Sequence, residues 1–167
     1  GYDFEMVYYN ADGKPSSMCG NGGRCIVSFA KHLRIIRQET TFLAVDGPHY
    51  AKISEDGWVS LQMIDVSEVR KDAEAFVLDT GSPHYVLSCS KLNAKDVVSE
   101  GRSVRNSTTY RGKGINVNFV EDFGDHYFVR TYERGVEDET FACGTGVTAV
   151  AMAMAKSKGL SGQINTP

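Results

Sequence analysis

Apolar positions in this chain fall into short runs of two different periods, separated by turns rich in glycine and aspartate. Phe4 to Tyr9 alternates aromatic or aliphatic residues with other types, which predicts a strand, and Asn10-Ala11-Asp12-Gly13 ends it as a turn. The period then changes. From Gly23 to about Arg34, residues Cys25, Ile26, Phe29, Ala30 and Leu33 recur at helical spacing, and Lys31, Arg34 and Arg37 make the last turn cationic, as the helix dipole favours. Thr41 to Val45, Tyr50 to Ser54 and Trp58 to Ile64 return to strand character, with Asp46-Gly47-Pro48 and Asp56-Gly57 between them, and predict an antiparallel meander. Asp65 to Glu74 is polar and breaks this rhythm, so a domain boundary is expected there, dividing the chain into residues 1–70 and 71–167.

The second part repeats the scheme. Strands are predicted near Ala75 to Asp79 and His84 to Ser90, a helix over about Asn93 to Glu100, and further strands at Ile115 to Val120 and Tyr127 to Tyr132, flanking the acidic turn Glu121 to Asp125. A last helix, Val147 to about Lys158, reads Val-Thr-Ala-Val-Ala-Met-Ala-Met-Ala and is apolar on all sides. A helix without a polar face must be surrounded by protein. The expected fold class is therefore α+β, with two lobes, each a barrel-like antiparallel sheet around a central helix.

With 41% hydrophobic and 23% charged residues, the 167 residues can bury a real core in one or two small domains. The formal net charge of -3, with Lys and Arg scattered, offers no electrostatic footprint for nucleic acid. The longest apolar stretch, Val147 to Ala155, is far short of the roughly 20 residues of a membrane-spanning helix, so no membrane partner is expected. Four cysteines would suffice for two disulfides, yet a chain of this size needs no staples, and a reducing cytoplasm fits better. The chain opens on Gly1 rather than Met, so the lack of a visible targeting signal proves little.

Two phrases carry chemistry: Cys19-Gly20-Asn21-Gly22-Gly23 and Cys143-Gly144-Thr145-Gly146, each a cysteine in a glycine-rich turn that opens a helix. Glycine lets the backbone approach a ligand, the N–H groups of a first helical turn can hold an anion, and the helix dipole favours thiolate over thiol. Taken alone, such a cysteine is more often a small buried hydrophobe in a tight turn. The duplication is what points to a pair of acid-base groups. No Lys-Ser/Thr follows Gly20 to Gly23 as in a phosphate loop, and no strand-Gly-x-Gly-x-x-Gly-helix unit occurs. His32, His49 and His126 read as exposed, Cys25 and Cys89 as packing residues, and no histidine has metal-ligand spacing with cysteine, so no metal is expected.

Met18-Cys19-Gly20-Asn21-Gly22-Gly23-Arg24-Cys25, with Glu133-Arg134-Gly135 and Ala142-Cys143-Gly144-Thr145-Gly146, resembles the diaminopimelate epimerase family. The Asn after the first Cys-Gly and the following Gly-Arg-Cys set the pattern apart from the similar proline racemases, which usually carry His at that Asn. The resemblance runs nearly end to end. It implies two pseudo-symmetric lobes and an epimerase with no cofactor, independent of pyridoxal phosphate, whose small-molecule substrate is diaminopimelate, interconverted between its L,L and meso forms on the route to lysine and peptidoglycan.

By the same resemblance, Cys19 and Cys143 match the catalytic thiols, and the backbone N–H groups of Gly20, Asn21, Gly144 and Thr145 the cradle for the reacting carboxylate. Asn10, Asn116, Glu133 and Arg134 match side chains that recognise the distal amino-acid end, where Arg suits a carboxylate and Glu an ammonium. His84 matches a histidine near the site, and Ser82 stands where many members have Asn. The stretch Gly135 to Ala142 is longer and more acidic than the usual form. Family members begin before Gly1 and continue past Pro167, so an internal portion with low or absent turnover is expected. Oxidation is expected to join Cys19 to Cys143. A proline or hydroxyproline racemase of the same superfamily and a non-catalytic fragment stay open as alternatives, and a homodimer as an assembly.

Overall fold

The computed structural model describes residues 1–10, 13–163 and 166 and divides into two compact units, Gly1–Asp65 and Val66–Pro167. Ala11 and Asp12, inside the first expected turn, lie outside the described residues.

In the first unit, helix α1 (Gly20–His32) buries Gly20, Gly23, Val27 and Ala30, which share one face at helical spacing. Strands β1 (Glu39–Ala44), β2 (Gly47–Ile53) and β3 (Val59–Leu61) form the expected antiparallel meander. Alternate residues of β1 and β2 turn inward, and Phe42, Ala44, Ala51 and Ile53 pack with Val27, Ala30, Met6 and Met18. The strand expected over Phe4 to Tyr9 is reduced to a short docking on β1. Met6 N–H donates to Leu43 O at 2.7 Å and Leu43 N–H to Phe4 O at 3.1 Å, a parallel bridge, after which Tyr9 bridges Pro15 instead.

Two expectations fail here for identifiable reasons. His49 is buried rather than exposed, because its ring stacks on Phe42 and both ring nitrogens find acceptors, Asp46 Oδ1 at 2.9 Å and Gln62 O at 2.8 Å. Cys25, expected to pack, lies exposed on the outer side of α1, off the face that meets the sheet.

The second unit is a six-stranded sheet in sequential order: β4 (Val69–Asp72), β5 (Ala75–Asp79), β6 (Pro83–Ser88), β7 (Asn116–Asp122), β8 (Tyr127–Glu133) and β9 (Asp138–Thr140). Every neighbouring pair is antiparallel except β6 and β7. Between those two the chain crosses over through a short 3-10 helix (Leu92–Ala94) and α2 (Val97–Arg105), and such a crossover returns the chain in the same direction. The helix expected over Asn93 to Glu100 is thus split in two. Asp96 accepts the Ser99 N–H at 3.0 Å and caps α2, which runs on through Gly101. Gly101 is no breaker; it lets α2 lie against Tyr132, where a Cβ would collide with the Tyr132 Cβ. Strands β4 and β9 are polar edges, hidden in the polar run after Asp65 and in the acidic stretch after Glu133.

Helix α3 (Gly144–Ser157) and α2 cover opposite faces of this sheet. Val117, Phe119 and Tyr132 join Val97 of α2, whereas Leu78, Val86 and Val120 join Ala149, Val150, Ala153 and Met154 of α3. Strand β7 is therefore buried on both sides. Helix α3 buries one face only, with Val147 exposed, so the expected enclosure of an all-apolar helix is not met. Alanine makes this tolerable, since it presents little apolar surface to water. The α+β class holds, but both sheets are open among the described residues, and the second carries a helix on each face.

Candidate functional site

One local geometry occurs once in each unit. Cys19 is the N-cap of α1, with φ -112° and ψ 107°, and Cys143 is the N-cap of α3, with φ -126° and ψ 103°. Gly23 N–H donates to Cys19 O at 2.8 Å and Val147 N–H to Cys143 O at 2.9 Å, so each cysteine carbonyl closes the first turn of its helix. Cys19 Sγ accepts the Gly22 N–H at 3.3 Å. The third residue after each cysteine is glycine beneath the sulfur: a Cβ would lie 3.5 Å from Sγ at Gly22 and 3.2 Å from Sγ at Gly146. The Cys143 sulfur makes no cap hydrogen bond, yet cysteine stands at both N-cap positions, where Ser, Thr, Asp and Asn are the ordinary residues, and that calls for a chemical reason. Gly20 and Asn21, like Gly144 and Thr145, supply the first-turn N–H groups that helix geometry turns toward an anion. None of the four cysteines forms a disulfide.

In the second unit the expected residues converge beneath the start of α3. The strand registers set His84 opposite Asn116 and Asn118 opposite Thr131, on the face that carries α3. His84 is fully buried, with Nε2 2.9 Å from Thr145 Oγ1 and Nδ1 3.0 Å from Asn118 Nδ2. Burial, reinforced by the nearby Arg134 cation, pushes its pKa down to about 3, so the ring is neutral at physiological pH. Thr145 Oγ1 lies 3.4 Å from Cys143 Sγ, and the Thr80 hydroxyl donates to Thr145 O at 2.9 Å.

Asn116 ties the neighbouring positions together. Its Nδ2 donates to Ser82 Oγ at 2.8 Å and to Pro83 O at 3.1 Å, and its Oδ1 accepts the Arg134 N–H at 2.9 Å. Its amide thus holds backbone and Ser82 in place. Glu133 Oε2 accepts the Thr140 hydroxyl at 2.9 Å, and Arg134 Nη1 donates to Lys113 O at 3.1 Å. Burial, then the Arg105 charge, lowers the Arg134 pKa. Asn10, Cys19, Gly20 and Asn21 belong to the first unit, where Asn21 Oδ1 accepts from Arg24 at 2.6 Å and Asn10 N–H donates to Lys14 O at 3.0 Å.

Sequence reading passes over Asn118, Thr131 and Thr80. A signal for the first was present: in Asn116-Val117-Asn118-Phe119-Val120 two amides fall at i and i+2, on one face of a run otherwise apolar. Among the described residues no group of three or more His, Cys, Asp or Glu could hold a metal ion.

The family model for diaminopimelate epimerase matches residues 76–166, from β5 through α3 and the second cysteine. The chain belongs to the diaminopimelate epimerase family. The diaminopimelate epimerase of Flavobacterium psychrophilum is 54% identical over 153 residues, covering 91% of this chain and 60% of the relative. That of Chlorobaculum tepidum is 43% identical over 159 residues, covering 90% and 62%, and that of Aquifex aeolicus 39% over 160 residues, covering 90% and 57%. The chain thus spans about 60% of the length of the curated relatives it matches.

Among solved structures, a hydroxyproline epimerase from Agrobacterium vitis superposes with a TM-score of 0.71 at 14% identity, covering 96% of this chain and 58% of that one. A probable proline racemase from Agrobacterium radiobacter gives 0.67 at 16%, covering 94% and 57%. At such identities the likeness is one of fold alone, an α+β architecture that this chain shares with the matched part of these proteins. No helix among the described residues is long and apolar enough to cross a membrane.

Proposed function

We propose that this chain carries the thiol pair of an epimerase that interconverts L,L- and meso-diaminopimelate without a cofactor. The observation behind this reading is the repeated cysteine at the N-cap position, Cys19 on α1 and Cys143 on α3, each over a glycine three residues on. Family membership supplies the substrate class. Asn21 and the Glu133-Arg134 pair favour diaminopimelate over proline.

The α-hydrogen of an amino acid is a very weak acid, so an enzyme acting without a cofactor must itself stabilise the carbanion. One thiolate takes that hydrogen as a proton: the C–H bond breaks, an S–H bond forms, and the electron pair moves toward the carboxylate. The other thiol delivers a proton to the opposite face: its S–H bond breaks, a new C–H bond forms, and it is left as thiolate. The centre is inverted, and the reverse reaction exchanges the two roles. The growing charge on the carboxylate is met by first-turn N–H groups of Gly20, Asn21, Gly144 and Thr145. Arg134 and Glu133 take the distal carboxylate and ammonium, with Asn10, Ser82, His84 and Asn116 shaping the surroundings. Both sulfurs must stay reduced, which suits a cytoplasmic enzyme serving lysine and peptidoglycan synthesis.

Solvent deuterium provides the test. The chain, and in parallel a chimaera completed with the flanking segments of the Flavobacterium psychrophilum relative, is incubated in deuterated water with diaminopimelate or proline. Label at the α-carbon of diaminopimelate is expected, from the chimaera at the least. Label in proline alone, or in neither substrate with both thiols reduced, overturns the reading.

A further inference from the structure

A buried hydrogen-bond chain ends on the second sulfur, and the chemistry of its members fixes the direction of each bond as far as Thr145. The Asn118 amide decides first. Its Nδ2 lies 3.2 Å from Tyr85 O, a carbonyl that can only accept, so the NH2 side faces β6. Its Oδ1 takes the Thr131 hydroxyl at 3.0 Å. The second Nδ2 hydrogen is aimed at His84 Nδ1, 3.0 Å away, so Nδ1 is the bare nitrogen and the ring proton sits on Nε2. Nε2–H then donates to Thr145 Oγ1 at 2.9 Å.

That bond occupies one lone pair of the hydroxyl and leaves its proton to be directed elsewhere. Cys143 Sγ lies 3.4 Å from the same oxygen. Toward a thiolate the hydroxyl donates; toward a thiol its second lone pair accepts the S–H. The opposite histidine tautomer would draw the hydroxyl proton onto Nε2 and turn only lone pairs toward sulfur. His84 and Asn118 are fully buried, and Thr145 and Thr131 nearly so, so water does not compete for these bonds. Burial and the nearby Arg134 cation keep the ring neutral, so it carries a single proton, and the Asn118 amide aimed at Nδ1 leaves that proton to Nε2.

We infer that Asn118 and Thr131 are positioning residues which, by fixing the Nε2–H tautomer of His84, hold the Thr145 side chain as the hydrogen-bond partner of Cys143 in both of its protonation states. This deepens the proposed function and rests on it for its purpose: a sulfur that alternates between thiol and thiolate keeps one partner through the cycle, with only a hydroxyl rotation between states.

The test needs no substrate, so its failure and that of the epimerase reading are distinguishable. Nitrogen-15 spectra of the labelled chain report the His84 tautomer, and iodoacetamide alkylation followed by peptide mass mapping reports Cys143 with Cys19 as a reference in the same molecule. The Nε2–H tautomer is expected. Thr145→Val should slow Cys143 alkylation at neutral pH about tenfold, the effect of losing one hydrogen bond to a charged group, and leave Cys19 unchanged. Thr145→Ser should restore the rate. Asn118→Asp should move the ring proton to Nδ1 and slow Cys143 in the same way; should that variant fail to fold, the Val and Ser pair and the wild-type tautomer decide. An Nδ1–H ring in the wild type, or Cys143 alkylated at the wild-type rate in Thr145→Val, overturns the inference.

Discussion

Gly146 and Asn118 meet where no side chain fits: a Cβ on Gly146 would lie 2.5 Å from Asn118 Oδ1. The amide cannot swing aside without releasing Thr131, His84 and Tyr85 O together. Gly146→Ala gains about 1 kcal/mol of helix propensity but overpacks a buried contact at about 1–3 kcal/mol, with further loss if the amide bonds break. Net destabilisation of about 1–2 kcal/mol is expected in urea unfolding. Gly112→Ala is the control, since a Cβ there meets nothing within 4 Å. Equal midpoints for the two variants would refute the close approach.

Acid should weaken the second unit through His84. Below the ordinary histidine value of 6.5 the unfolded chain binds a proton that the folded ring refuses until about pH 3. The unfolded state therefore holds more protons across this window, and stability falls as pH falls through it, by up to about 1.4 kcal/mol per pH unit from this group. His84→Gln should flatten the dependence of unfolding free energy on pH between those limits. An unchanged slope would show that the ring is protonated in the native state.

His49 should act with the opposite sign. Burial works against a charged ring, but the bonds to Asp46 and to Gln62 O outweigh it, and its pKa is raised. Both ring nitrogens face acceptors, an arrangement that an imidazolium satisfies fully. Its contribution is complete below 6.5 and is lost as pH rises through the raised folded value. Hydrogen exchange of β2 amides, corrected for intrinsic rates, should reveal lower protection on the alkaline side, and His49→Asn should remove that trend. Protection independent of pH in the wild type would contradict the assignment.

Local period was enough for the elements whose neighbours lie close in sequence, such as the β1-β2-β3 meander and the helices that follow each cysteine. It was not enough where a long crossover sets the pairing. Nothing within Pro83 to Ser88 or Asn116 to Asp122 says that these strands run parallel; the connection through α2 decides it. Edge strands β4 and β9 escaped because half of their surface is solvated and their composition is that of a loop. The helix starts at Gly20 and Gly144 were legible because a glycine-rich turn ahead of a run of apolar residues marks a helix N-terminus. Asn118 carried only the signal of two amides at i and i+2, because an amide in a strand acquires its role only when His84 and Thr131 are set beside it by β6 and β8.

If Cys19 and Cys143 work as one acid-base pair, removing either should remove the whole proton relay. Misplaced or missing general acid-base groups typically cost about 10²–10⁴-fold in rate, and residues that act as a unit give non-additive losses. In the completed chimaera, Cys19→Ala and Cys143→Ala should each lower epimerisation of diaminopimelate within that range, and the double variant should fall no further. Cys25→Ala, exposed on the outer side of α1, should leave the rate near wild type. The decisive comparison is the double variant against the product of the single effects: a multiplicative loss would mean that the two sulfurs contribute independently, and a two-base inversion would then be untenable.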